Sequence, residues 1–340
     1  MKQLTTIHDI ARELNIAVAT VSRALNNHPA VKDTTRKAVQ QTAKRLNYQP
    51  NKIATSLRLG RSRIVGVIIP SAEINFFGSV IHGIEKVMSQ KGYSVLIYQS
   101  NELYEFEKKG IETFLRSQVE GVLASISKET INLEHYSALK VRNVPLILFD
   151  RANDSLGVPS VVVDDYQGAF AATRHLIEQG CRRIAHIGGQ QHVAIFNQRL
   201  RGYIDALNVH NIPVNDDLIV YGKVSIQSGN ECMQYLLDKN PDAVFAVEDF
   251  TALGAVQAIK SAGKRIPEDI AVVGFANEAF GEYITPTLTT VNQQTNRMGE
   301  ESANLFFDIL HAGESFGGSP QKLILQPELI CRQSSLKTKN

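Results

Sequence analysis

The side chains best equipped for recognition chemistry near the start of the chain sit on one short segment. From Val18 to Leu25 the sequence reads VATVSRAL. Val21, Ala24 and Leu25 fall on one side of a helix at that spacing, and Val18, Ala19, Ser22 and Arg23 on the other. Arg can donate in pairs to a guanine edge, and Val and Ala offer apolar contact to thymine methyl groups. This is chemistry for reading a major groove, and it breaks no bonds. Ahead of it, Ile7, Ile10, Ala11 and Leu14 lay an apolar stripe along a first helix, which Thr6 caps with Asp9 three residues on. Asn15-Ile16-Ala17 interrupts the pattern with a residue tolerant of the left-handed conformation. The spacing predicts two short helices about a tight turn, the helix-turn-helix arrangement.

A merely solvated helical face is the competing reading, and charge weighs against it. Residues 1–63 carry 12 Lys and Arg against 3 Asp and Glu, a net +9, while the rest carries 24 against 31, a net −7. The whole-chain charge of +2 thus conceals a basic head on an acidic body, the asymmetry expected when one end must neutralise phosphates.

The elements that follow set the architecture. A third helix is predicted from about Asp33 to Leu46, with Val39, Ala43 and Leu46 inward; Asp33 is placed to cap it, and Asn47 to stop it. Residues 50–62 form a basic segment bounded by Pro50 and Gly60, too short for a stable lone helix in water. From Ile64 the texture changes to short Val- and Ile-rich runs alternating with amphipathic segments. Strands are predicted at 64–69, 94–98, 121–124 and 145–149, with helices at 79–91, 105–116 and 133–142. A second series places strands near 161, 184–187, 218–221, 243–247 and 271–274, separated by helices at 168–179, 199–210, 225–237 and 252–262. The closing segments are 288–292, a helix at 298–311, 323–325 and 329–332. Two successive βα series imply two doubly wound subdomains side by side.

Such a pair encloses a cleft lined by loops at the carboxyl ends of the strands. Asn75, Phe76 and Phe77 follow the first strand, and Asp150 and Arg151 follow PLILF. The second series offers Phe196, Arg199, Glu248, Asp249 and Phe275, with Gln293 on a later segment. Aromatic faces for stacking, together with Asp, Arg and Gln for hydroxyls or carboxylates, suit a sugar or sugar acid. A core position would serve Phe76 and Phe77 equally well, and a capping role would serve Asp150.

Other chemistries find no support. There is no GxxxxGK[ST], no GxGxxG opening a helix and no GxSxG elbow. Gly188-Gly189 reads as a strand-end turn rather than a phosphate cradle. Cys181, Cys232 and Cys331 are far apart, with no CxxC, and read as small buried hydrophobes rather than a disulfide framework or thiolate site. The nine histidines show no HExxH or close pair. No enzyme activity, metal or cofactor is expected. With 43% hydrophobic and 21% charged residues, no apolar run of membrane length and no signal-peptide segment, the chain is expected to be cytoplasmic and free of membrane.

The segments IARELNIAVATVSRALNN and YQPNKIATSLRLGRS, followed in order by VGVIIP, NFF, VPLILFDR, VPSVVVDD, RRIAHIGG, RLRGY, IPEDIAVVGF and LTTVNQ, resemble the lactose-repressor (LacI/GalR) family of bacterial transcription regulators over nearly the whole chain. The resemblance implies a helix-turn-helix head at 1–49, a hinge segment at 50–62 that becomes a helix on DNA, and a periplasmic-binding-protein-like core at 63–340. It implies three chain crossings, placed near Asp164, Gln293 and Pro327. The N-subdomain is then about 63–163 with 293–326, and the C-subdomain about 164–292 with 327–340. The implied DNA-contacting set is Thr6, Val18, Ala19, Thr20, Ser22, Arg23 and Asn26 of the head, with Asn51, Ala54, Leu57 and Arg58 of the hinge. Leu57 matches a leucine that wedges into the minor groove, Ala54 the small residue where two hinges meet. Arg199, in RLRGY, matches a ligand-binding arginine. Ala276 stands where many relatives have an Asp that accepts ligand hydroxyls, and Glu248 is a candidate replacement. The function implied is a homodimeric regulator, read as a repressor, binding double-stranded operator DNA under control of a small-molecule effector. A nucleobase, a protein corepressor or a plain sugar receptor are the alternatives. The C-terminal SSLKTKN lacks leucine heptads, so a coiled-coil tetramer is not expected.

Overall fold

The computed structural model describes residues 5–48, 61–313, 316 and 320–337. The chain divides into two compact units, Met1–Ser62 and Arg63–Asn340. The hinge residues Asn51, Ala54, Leu57 and Arg58 lie outside the described residues.

In the first unit, α1 (Ile7–Leu14), α2 (Val18–Leu25) and α3 (Asp33–Arg45) close over Ile10, Val21, Ala24 and Val39, all fully buried. The Thr6 amide and hydroxyl both donate to Asp9 Oδ2, at 2.8 and 2.7 Å, closing the first turn of α1. The Thr6 amide bond, then the hydroxyl, holds the Asp9 carboxyl below its ordinary range. Asn15 ends α1 at φ 51°, ψ 45°, supplying the left-handed turn. Two expectations need correction. Val18 does not simply face outward: it is half-buried against the core of the head, because it lies one turn before Val21 on the same flank of α2. Nor does Asp33 cap α3. Lys32 occupies the cap position, and the Asp33 carboxylate, already inside the helix, takes Arg36 Nη1 at 2.6 Å. Arg36 in turn donates to the Val31 carbonyl at 3.0 Å, tying the preceding loop to α3.

The second unit contains two parallel sheets. The first is six-stranded, in the order β11-β5-β4-β3-β1-β2. Its strands are β1 (Ile64–Ile69), β2 (Ser94–Gln99), β3 (Gly121–Ala124), β4 (Leu146–Phe149), β5 (Ser160–Val163) and β11 (Lys322–Leu325). The second sheet, β7-β6-β8-β9, is built from β6 (Ile184–Gly188), β7 (Ile219–Tyr221), β8 (Ala243–Ala246) and β9 (Ala271–Val273). A short antiparallel pair joins β10 (Thr290–Asn292) to β12 (Glu328–Ile330). Strands β1, β3, β4, β5, β6, β8 and β9 are buried nearly throughout, as covering by helices on both faces requires.

Those helices are α4 (Asn75–Gln90), α5 (Tyr104–Arg116), α6 (Ser137–Val141), α7 (Asp165–Glu178), α8 (Ala194–Val209), α9 (Ile226–Leu237), α10 (Asp249–Ser261) and α11 (Thr295–Ala312). The segment expected as one helix over 133–142 is a 3-10 turn at Glu134–Tyr136 running into α6. The chain passes between the two sheets after β5, after β10 and after β11.

Helices α4 and α11 touch backbone to backbone. A Cβ at Gly83 would stand 2.1 Å from the Asn296 carbonyl oxygen, and one at Gly299 the same 2.1 Å from that of Val80. Only glycine permits this approach, which brings Met298 and Phe306 into one core with Ile84 and β1. Cys181 is buried as expected, but Cys232 is half-buried and Cys331 exposed, the latter just beyond the short β12 strand. Among the described residues, no helix is long and apolar enough to cross a membrane.

Candidate functional site

The cleft between the two sheets holds a cavity of about 520 Å³. Phe76, Phe77, Asp150, Arg151, Phe196, Arg199, Glu248 and Gln293 all line it. Phe275 does not: its ring is fully buried behind Arg199, whose guanidinium sits 3.7 Å from the ring centroid and covers the face that a ligand would need. Residues that sequence reasoning missed also line the cavity, including Glu73, Lys128, Phe250 and Glu278. No motif marked them; they come from loops and first helical turns whose places in the cleft depend on the assembled sheets.

The floor is organised by Arg199, itself 3% exposed. Its Nε and Nη2 reach Asp165 Oδ1 at 2.8 and 2.7 Å, and Nη1 donates to the Val247 carbonyl at 2.7 Å. Burial pushes the Asp165 carboxyl up to about 6 against the pull of Arg199. Across the cleft, Arg151 Nη1 and Lys128 Nζ share Glu102, at 2.6 and 3.3 Å. Burial alone would raise the Glu102 carboxyl, but the two cations outweigh it and hold it below its usual range. Asp150, 6% exposed and at φ 59°, accepts from the Ser125 hydroxyl at 3.3 Å; burial raises its carboxyl. A non-glycine residue in the left-handed region at a cavity wall is backbone strain placed where it aims a side chain.

Glu248 was the candidate substitute for a carboxylate missing at Ala276. The structure gives its oxygens another duty: they cap α10, accepting from the amides of Phe250 and Thr251 at 3.0 and 2.7 Å. The carboxylate nearest that role is Glu278, two residues beyond Ala276. It is 3% exposed and accepts from the Phe76 amide at 3.2 Å, a hydrogen bond that spans the cleft. A second bond spanning it runs from His192 Nε2 to the Lys128 carbonyl at 2.8 Å. Behind Glu278, fully buried Asp249 accepts from the Thr290 hydroxyl and the Glu278 amide, each at 2.7 Å. Burial pushes the Asp249 carboxyl up to about 7, and the neighbouring Glu248 and Glu278 charges add to the rise. A Cβ at Gly274 would lie 2.1 Å from Asp249 Oδ1, so glycine is required there. Gly189 is likewise explained by packing: a Cβ would enter the Phe196 ring at 2.6 Å.

On the first unit, Thr6, Ala19, Arg23 and Asn26 are exposed, and Val18, Thr20 and Ser22 are half-buried along α2. Thr6 is occupied with Asp9, and the Asn26 side-chain amide with the Ser22 carbonyl at 2.7 Å. Ala19 and Arg23 stand one helical turn apart on the open face, a spacing that suits neighbouring bases in a groove.

Comparisons with known proteins agree with this architecture. The family described as bacterial regulatory proteins, lacI family, matches residues 6–51, and a periplasmic binding protein-like domain matches residues 173–335. The HTH-type transcriptional repressor PurR of Pasteurella multocida is 30% identical over 335 residues, covering 97% of this chain and 98% of that protein. The HTH-type transcriptional repressor CytR of Escherichia coli K12 is 33% identical, covering 97% and 96%. Among solved structures, the lac repressor dimer bound to operator and the anti-inducer ONPF superposes with a TM-score of 0.87 at 26% identity, covering 98% of this chain and 100% of that one.

Two outcomes follow for the floor of the cleft. Arg199→Ala strands a buried Asp165, which should cost about 3–5 kcal/mol by denaturant unfolding, whereas Asp165→Asn should cost less; equal midpoints for Arg199→Ala and wild type would refute a structural role for the pair. Asp249 gives a pH dependence. Its folded pKa of about 7 exceeds the unfolded value near 3.8, so the folded state holds the proton more tightly between them. Its contribution to stability is therefore greatest at low pH and is lost as pH rises to 7. Melting temperatures measured from pH 5 to 8 should show wild type losing more stability than Asp249→Asn across that window; parallel curves would remove the assignment.

Proposed function

This chain belongs to the lacI family of bacterial regulatory proteins, and we propose that its grip on operator DNA is set by a small polyhydroxy molecule held in the cleft of its core. As a member of that family it is a DNA-binding transcriptional repressor and not an enzyme. On this reading the working unit is a homodimer whose two heads read the halves of an inverted repeat. The support is the single recognition helix per chain and the similarity to a lac repressor dimer on its operator.

Asp150 carries the polyhydroxy reading. A carboxylate buried to this degree, with a hydroxyl at 3.3 Å as its closest hydrogen-bond donor, is undersupplied with donors, and ligand hydroxyls would complete it. Phe196 and Phe250 offer apolar faces beside it, and Arg151 and Gln293 further polar contacts. The chain is also similar to the regulator CelR in a cellobiose complex, at 29% identity and a TM-score of 0.74. A nucleobase is the second reading, favoured by the same aromatic faces. In either case the residues proposed to hold the effector are Phe76, Phe77, Asp150, Arg151, Phe196, Arg199, Glu248 and Gln293, with Phe275 acting only through Arg199.

For the head, Lys and Arg off the recognition helix would hold phosphate, while Arg23 would choose sequence. Selection from random DNA should return an inverted repeat for wild type and the same repeat for Arg23→Ala, relaxed at one symmetric pair of positions. The discrimination lost there should be about 1–3 kcal/mol. An unchanged consensus would sink Arg23 as a reader. For the cleft, Asp150→Asn should leave operator binding without effector as it is. It should weaken an identified effector by about 1.5–3 kcal/mol, the worth of a charged hydrogen bond. A calorimetric titration giving wild-type affinity would place the ligand elsewhere.

A further inference from the structure

The cations around the cleft already hold counter-ions. Lys128 and Arg151 share Glu102, at 3.3 and 2.6 Å, and Arg199 is paired with Asp165 at 2.7 Å. Neither Glu102 nor Asp165 is among the residues that line the cavity, so two carboxylates stand behind three cations and leave one positive charge against the carboxylates of Asp150, Glu248 and Glu278, which do line it. The lining carboxylates are balanced far less well. Asp150 has Arg151 Nε at 3.8 Å, and among the described residues neither Glu248 nor Glu278 makes an ion pair. Glu248 spends both oxygens on the start of α10. Glu278 accepts through Oε1 from the Phe76 amide, and among the described residues its Oε2 is in no such bond.

We infer that the cleft takes an uncharged or amine-bearing ligand and turns away acids and phosphates, with Glu278 as the carboxylate that makes the distinction. This rests on reading the cleft as the effector site and narrows that reading, setting aside the sugar acid that residue types alone allowed. An anion entering here would meet Asp150, Glu248 and Glu278, whose like charge would repel it. A hydroxyl or ammonium group would instead donate to them. Arg199 keeps N–H donors to spare, since a guanidinium carries five, but with Asp165 bound to it those donors serve neutral acceptors without drawing in a second anion. Glu278 holds the decisive place because its other contact reaches the Phe76 amide on the opposite wall. A donor group that engages Glu278 therefore touches the group that ties the two walls together.

The test uses the full-length protein at pH 7.5 and matched ligand sets, read by thermal shift and then by calorimetry. The sets are glucose, glucosamine and glucuronate; galactose, galactosamine and galacturonate; cellobiose and cellobionate; ribose and ribose 5-phosphate; adenosine and its monophosphate. Within any set that binds, the neutral or amine member should bind at least tenfold more tightly than the acid. Glu278→Gln, checked for an unchanged circular dichroism spectrum, should narrow that ratio by about tenfold. An acid or phosphate that binds wild type as tightly as its neutral counterpart overturns the inference. So does a ratio that Glu278→Gln leaves unmoved. Should the variant not fold, the wild-type ranking alone decides. If no set binds while operator binding is intact, the effector reading of the cleft falls as well, an outcome distinct from binding with the wrong charge preference.

Discussion

A guanidinium buried in the floor of the cleft is the constraint on which much of the core depends. Arg199 sits over the Phe275 ring, grips Asp165 and donates to the Val247 carbonyl. Those three partners come from the loop after β9, the first residue of α7 and the residue after β8, so one side chain registers three elements against each other. The cost of holding such a charge out of water is met only when its partners are close and well aimed. Its neighbours are shaped to that end. A Cβ at Gly168 would strike the Phe275 ring at 2.8 Å, so α7 can lie against that ring only because residue 168 has no side chain. Asp165 in turn follows directly on the first crossing of the chain, which fixes where α7 can begin.

The same geometry explains which features the sequence disclosed. Strand positions are legible almost to the residue because buried parallel strands are continuous apolar runs: 64–69 and 121–124 coincide with β1 and β3. Helix starts are not. α4, α7, α8, α10 and α11 begin at Asn75, Asp165, Ala194, Asp249 and Thr295, three to five residues before the apolar periodicity predicts. The reason is physical. The first turn of each of these helices lies at the end of a strand or crossing, where α4, α7, α8 and α10 present Phe76, Asp165, Phe196 and Phe250 toward the cleft and its floor, Phe76 packing on the β1 core as well. Periodicity measures core packing, so it is blind to these turns. Residue types still flagged Phe76 and Phe196, whereas Glu278 was hidden, since nothing local shows that a loop Glu reaches the opposite wall.

The head shows the converse. Its helices are fixed by contacts within a few residues, so the Thr6 and Asp9 box, the Asn15 turn and the Asn47 stop were all readable. What local reading missed was the tilt of α2 against its neighbours. Half-burial of Val18 leaves Ala19 and Arg23 as the exposed positions, one apolar and one able to make paired hydrogen bonds. A small head has little apolar surface to spare, so a residue at the edge of α2 is drawn into packing.

Few direct hydrogen bonds run between the walls of the cleft among the described residues, and that bears on how a ligand could act. The Glu278 bond to the Phe76 amide and the His192 bond to the Lys128 carbonyl both run to backbone groups. Such bonds contribute about 0.5–3 kcal/mol each, depending on charge. Moving a two-state equilibrium from one side to the other takes about 5.5 kcal/mol of differential affinity. A ligand touching Asp150 and Arg151 on one wall and Glu278 and Arg199 on the other would add several bonds that exist only when the walls are close. Its contribution would then exceed that of the protein's own clasp, so occupancy rather than the empty chain would choose the state. The paired cations follow from the same logic. Free positive charge facing Asp150, Glu248 and Glu278 across the gap would draw the walls together without any ligand; two carboxylates behind three cations reduce that pull and leave more of the closing energy for the ligand to supply.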